Sequence, residues 1–118
     1  MTSPTTIRPD QLPATIRGYL SAHESGDVDA AVAAFAPTAT VTDEGRTFRG
    51  AEEIRGFLRH AGAEFTYTTE LVGPGRVDDE VWVATHRLEG DFPGGVAELD
   101  FRFRMAGDLI AELAIDPR

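Results

Sequence analysis

The sequence predicts an α+β domain in which three helices pack on one face of an antiparallel sheet. Two observations carry that prediction. Apolar residues recur at helical spacing as far as about residue 60 and alternate with polar ones from about residue 65 onward, so the period changes once along the chain. Glycine and proline cut both halves into short segments, so that helices come first and a run of strands follows. That order suits helices covering one face of a meander. At 118 residues the chain reads as one domain, residues 10–118, behind a flexible polar tail at residues 1–9.

From Asp10, which suits an N-cap, Leu12, Ile16, Tyr19, Leu20 and His23 fall on one stripe of a first helix that Gly26 stops. Asp27 caps a second helix with Val28, Ala31, Val32 and Phe35 on its apolar face, and Pro37 ends it. Thr40 to Thr42 reads as a short strand, Asp43-Glu44-Gly45-Arg46 as a turn, and Thr47 to Arg49 as the returning strand of a hairpin. Gly50 opens a third helix, through about His60, that buries Ile54, Phe57 and Leu58.

The second half is strands. Phe65 to Leu71 alternates until Gly73-Pro74-Gly75 breaks it, and Glu80 to Glu89 follows. Val96 to Met105 sets Ala97, Leu99, Phe101 and Phe103 against Glu98, Asp100, Arg102 and Arg104. Ala106-Gly107-Asp108 then turns the chain into a last strand, Leu109 to Ile115. No internal repeat is present.

Composition narrows the function. A net charge of -9 makes nucleic acid and anionic membrane surfaces poor partners. There is no cysteine, hence no disulfide and no thiolate metal site. The polar Met1–Pro9 segment lacks the features of a signal peptide, and no apolar run nears the roughly 20 residues of a membrane span. Together these fit a cytoplasmic protein. The three histidines lack ligand spacing, so no metal is expected, and no phosphate-binding glycine loop or nucleophile elbow occurs.

The patterns Tyr19-Leu20-x-Ala22-x-x-x-Gly26-Asp27, Phe35-Ala36-x-x-Ala39-x-Val41-x-Asp43 and Gly50-x-x-x-Ile54 stand in this order. Phe101-Arg102-Phe103 and Gly107-Asp108-Leu109-Ile110 close the series. The whole resembles the cone-shaped fold of the nuclear transport factor 2 superfamily, its SnoaL-like and ketosteroid isomerase-like members in particular. The resemblance covers residues 11 to 115. It implies a curved sheet wrapped on the helices around a largely apolar pocket, and often a homodimer through the outer sheet face. The fold hosts isomerases, cyclases, dehydratases, hydrolases and non-catalytic binders, so residues must decide the function.

The resemblance puts a proton-transferring carboxylate where the first strand closes, at Asp43. Walled by Phe35, Ile54 and Phe57, such a carboxylate would be poorly solvated, which suits a general base; the alternative is an ordinary turn residue. Tyr19 matches the helix tyrosine of ketosteroid isomerase, or is simply a packed core phenol. The place of that enzyme's protonated acid is Leu99, an apolar residue, while Asp100 beside it points to the other face. On the strand Val81 to Leu88, one face carries Trp82, Ala84, His86 and Leu88. If that face is the concave one, His86 enters the pocket and relays protons with Asp43. His23 shares the face of Tyr19, but near a helix end it also suits the C-terminal dipole. Glu112 enters the pocket if Ile110, Glu112, Ala114 and Asp116 face inward, and meets water in the opposite register.

Two kinds of function follow. One is cofactor-free acid–base catalysis on an apolar small molecule by Asp43, Tyr19 and His86, against a lining of Phe35, Ile54, Phe57, Leu58, Trp82, Leu99, Phe101 and Glu112. The other is non-catalytic ligand binding, or dimeric association through residues such as Val81, Val83 and Leu113. The substrate is not legible.

Overall fold

The computed structural model describes residues 4–43, 45–60, 67–91 and 93–117, with the side chains of His60 and Tyr67 left aside. Its elements are β1 (Thr5–Thr6), α1 (Ala14–Ser25), α2 (Val28–Ala33), β2 (Phe35–Asp43), β3 (Arg46–Arg49) and α3 (Gly50–His60). The strands β4 (Tyr67–Arg76), β5 (Val81–Gly90), β6 (Val96–Ala106) and β7 (Leu109–Pro117) follow. Among the described residues, seven strands form one sheet in the order β1-β4-β5-β6-β7-β2-β3, and the three helices pack together against it. The α+β architecture read from the sequence is the one observed.

Local chemistry places the helix ends. Gly26, with φ 76°, takes the left-handed conformation that stops α1, and the Asp27 side chain accepts the Ala30 amide of α2 at 3.1 Å. The first helix begins later than Asp10 suggests. Pro9–Gln11 form a separate 3-10 turn, and the cap of α1 is Pro13.

Several boundaries move for tertiary reasons. Phe35 starts a strand instead of ending a helix, because the chain there pairs in parallel with β7, Phe35 opposite Ile110. Pro37 therefore sits inside β2, in the stretch between Phe35 and Thr40 where the pairing loses register; a residue without an N–H is tolerated at such an irregularity. This parallel pair makes the sheet mixed, not purely antiparallel as expected.

Gly73-Pro74-Gly75 bends β4 without ending it. The register shifts between Leu71 and Gly73, and pairing with β5 continues to Arg76. Residues 4–9 do not behave as the predicted tail. Thr5 and Thr6 pair with Arg76 and Gly75, and the Ile7 amide donates to the Pro74 carbonyl at 3.1 Å. A Cβ on Gly75 would stand 2.9 Å from Pro4, so glycine lets this strand lie close. The expected strand start at Phe65 and the Glu44 position of the Asp43 turn lie outside the described residues.

The core lies between the helices and the concave face. Ile16 and Tyr19 of α1, Ile54 of α3, Val41 of β2, Phe103 of β6 and Ile110 and Leu113 of β7 are essentially inaccessible. The last strand satisfies neither strict alternation. A bulge lies between the pairs Arg104–Glu112 and Met105–Ile110, so Ile110, Leu113 and Ile115 all turn inward. Glu112 is exposed on the outer face, where Arg104 Nε meets its carboxylate at 3.3 Å, and Asp116 is exposed as well. Glu112 is thus no pocket residue, and Leu113, 1% exposed, cannot serve an outer-face contact.

Candidate functional site

Cross-strand register builds the site. Asp43 pairs with Ile115, Ile115 with Phe101, and Phe101 with Ala84, which forms one row across β2, β7, β6 and β5. Asp43 follows Val41 and Ala39 at a two-residue spacing, and both are buried, so its half-buried carboxylate shares their concave face. Two strand spacings, about 10 Å, separate its backbone from that of Phe101.

The next row places His86 directly opposite Leu99. The register therefore turns Trp82, Ala84, His86 and Leu88 toward the helices, each opposite an inward residue of β6. On the outer side of the same strands, Thr85 donates to Asp100 Oδ1 at 2.6 Å, so Asp100 points away from the concave face, as its position beside Leu99 requires.

Three side chains gather on Phe101 and its neighbours. The His86 ring lies 4.9 Å from the Phe101 ring and the His23 ring 6.4 Å from it. Tyr19 stacks on His23 at 5.9 Å and 8°, and meets Phe35 and Phe103 edge-on at 5.3 and 5.7 Å. His23 is the residue that sequence reasoning undervalued as a dipole partner. Its spacing of four from Tyr19 was the available signal, because that spacing sets both rings on one helix face.

The remaining predicted lining divides. Phe35 and Phe101 belong to the cluster. Ile54, Phe57 and Leu58 are buried on α3, which packs on β2, and Phe57 lies 4.9 Å from Phe48. Trp82 does not join His86. Four residues away on β5, roughly 13 Å, it carries Arg76 over its ring at 5.6 Å. It lines an open cleft of about 350 Å3 beside Thr15, Glu80, Met105 and Asp108, at the start of α1. Among the described residues, no group of three or more histidine or acidic side chains could hold a metal ion, and no helix is long and apolar enough to cross a membrane.

Electrostatics follow from burial. Loss of solvation holds His23 below the ordinary value of 6.5. The same cause dominates at His86, where the Ala84 carbonyl pulls the other way, His23 adds a smaller downward push, and Glu24 opposes it. Both rings are therefore neutral near neutral pH.

A SnoaL-like domain model matches residues 16–113. The chain belongs to the SnoaL-like family. Among solved structures, a candidate polyketide cyclase from Sinorhizobium meliloti is 29% identical with a TM-score of 0.85, over 93% of this chain and 100% of that one. A protein of ketosteroid isomerase-like fold from Catenulispora acidiphila, in complex with trimethylamine, is 18% identical with a TM-score of 0.75, over 88% and 85%. A computationally designed 17-OHP binder shares the fold at 16% identity and a TM-score of 0.68, over 86% and 88%. Comparison with curated proteins finds no match.

For this SnoaL-like domain the buried imidazoles predict a pH dependence of stability. Their folded-state pKa lies below the unfolded value of 6.5, so between the two the unfolded chain binds more protons. The stability is fully present above about pH 6.5 and is lost as the pH falls through the folded values. The melting temperature is expected to drop between about pH 7.5 and pH 5.5, and to drop less in the double variant His23→Gln/His86→Gln. Equal drops in the two proteins would show that carboxylates alone cause the loss.

Proposed function

We propose that this SnoaL-like protein binds an apolar, ring-bearing small molecule on the concave face of its sheet and moves a proton on it without a cofactor. Asp43 takes and returns the proton. Tyr19 and His86 polarise the oxygen on which charge develops or relay the proton. The observation that carries this reading is the gathering of His23 and His86 on Phe101, with Tyr19 stacked on His23, in a site whose register row ends at Asp43. Acid–base groups set among aromatic rings suit isomerase, cyclase, dehydratase or hydrolase chemistry. The candidate cyclase and the designed binder among proteins of this fold support a small-molecule ligand.

A second reading, binding without catalysis, is favoured by one residue. Leu99 stands on the concave face opposite His86, where the resemblance to ketosteroid isomerase expects a proton-donating acid. With one donor fewer, stabilisation of an oxyanion is weaker.

A polycyclic β,γ-unsaturated ketone separates the two readings. Catalysis predicts deuterium exchange beside its carbonyl faster than in buffer, followed by NMR, together with a raised melting temperature. A raised melting temperature with no faster exchange leaves the binder. Neither effect removes both.

A further inference from the structure

We propose that His23 and His86 form a paired-imidazole site for the hydroxyl group of the ligand, with Phe101 carrying the ligand's ring and His86 Nδ1 making the hydrogen bond. This rests on the reading above and names its ligand class: an alicyclic alcohol or a phenol.

The starting point is a buried nitrogen. His86 Nδ1 is buried and makes no hydrogen bond of normal geometry with any described residue. Buried polar atoms are nearly always paired, and one that is not calls for an explanation, a catalytic or binding role among them. Among the described residues the Ala84 carbonyl acts on the ring, but it does not meet Nδ1 in hydrogen-bond geometry. The cross-strand neighbours of His86 are the apolar Leu71 and Leu99, and the ring it touches is Phe101. The second imidazole, His23, reaches the same Phe101 ring from α1 and is held by its stack on Tyr19.

A hydroxyl suits this pair better than other oxygen groups. A neutral imidazole has one donor and one acceptor nitrogen, and a hydroxyl both donates and accepts, so it complements Nδ1 in either tautomer. A carbonyl or ether only accepts. A carboxylate would have to enter a chain of net charge -9 with Asp43 on the same face and Glu24 close enough to act on His86. A half-turn about the Cβ–Cγ bond exchanges Nδ1 with Cδ2, and this torsion is soft in histidine, so the nitrogen can reach a ligand on either side of the ring.

The test compares naphthalene with 2-naphthol, which differ by one hydroxyl, on the full-length 15N-labelled protein. The expected result is that 2-naphthol binds about five- to tenfold more tightly, the worth of one neutral hydrogen bond. The imidazole nitrogen signal of His86 should move with 2-naphthol and hardly with naphthalene. In His86→Phe, which keeps a ring and removes the nitrogens, the ratio of the two affinities should fall to about one. Equal affinities in the natural protein, or a preference that survives in His86→Phe, overturns the proposal and leaves the apolar site standing. If naphthalene itself does not bind, the apolar site fails and this proposal fails with it. The nitrogen spectrum of the natural protein decides the matter even if the variant folds poorly.

Discussion

Replacing Phe103 by alanine is expected to destabilise the domain by about 3–5 kcal/mol, as for large aromatic deletions in close-packed cores. Phe103 is 0% exposed, meets Tyr19 edge-on at 5.7 Å and lies 6.5 Å from Phe101. It stands between Trp82 and Leu113 in the central rows of the sheet, so the cavity left behind has packed neighbours on both sides and cannot readily collapse. Domains of this size are stable by about 5–15 kcal/mol, so the loss takes a large share of the total. In urea the midpoint should fall by roughly 2 M. The control is Arg102→Ala on the outer face of the same strand, expected within about 0.5 kcal/mol of the natural protein. If Phe103→Ala cost less than about 1 kcal/mol, the concave face would not be packed as described.

The second large effect concerns chemistry. Asp43→Asn is nearly isosteric and still hydrogen-bonds, but it cannot take up a proton. If Asp43 moves the proton, the exchange beside the ketone carbonyl should slow by about 10²–10⁴-fold, the usual worth of a positioned general base. The melting temperature and the affinity for the ketone should change little, because Asp43 closes its strand at a half-buried position. An exchange rate unchanged in Asp43→Asn would remove the carboxylate from the mechanism and leave His86 as the base to examine.

Much of the fold is legible in the residues. The change of period, the stop at Gly26, the cap at Asp27, the opening of α3 at Gly50 and the inward set Leu99, Phe101 and Phe103 are local properties. They depend on backbone conformation and on side chains alternating two residues apart. The helix-facing side of β5 was legible only as a choice between two faces. Pairing with β6 decided it by setting His86 opposite Leu99.

The site itself depends on longer reach. Phe35 looked helical, because its neighbours carry the helix period; a parallel pairing with Ile110, 75 residues away in the chain, made it a strand residue. Glu112 looked like a pocket carboxylate until a single bulge turned Ile110, Leu113 and Ile115 inward together and left Glu112 with Arg104 outside. The row joining Asp43 to Phe101 through Ile115 arises from the same parallel pairing. The sequence by itself determined the order of the three helices and the main strands, the core faces of α1, α3 and β6, and the SnoaL-like family. Only the tertiary structure decided which polar groups meet, because register between distant strands is set by packing over the whole sheet and leaves no mark in local spacing.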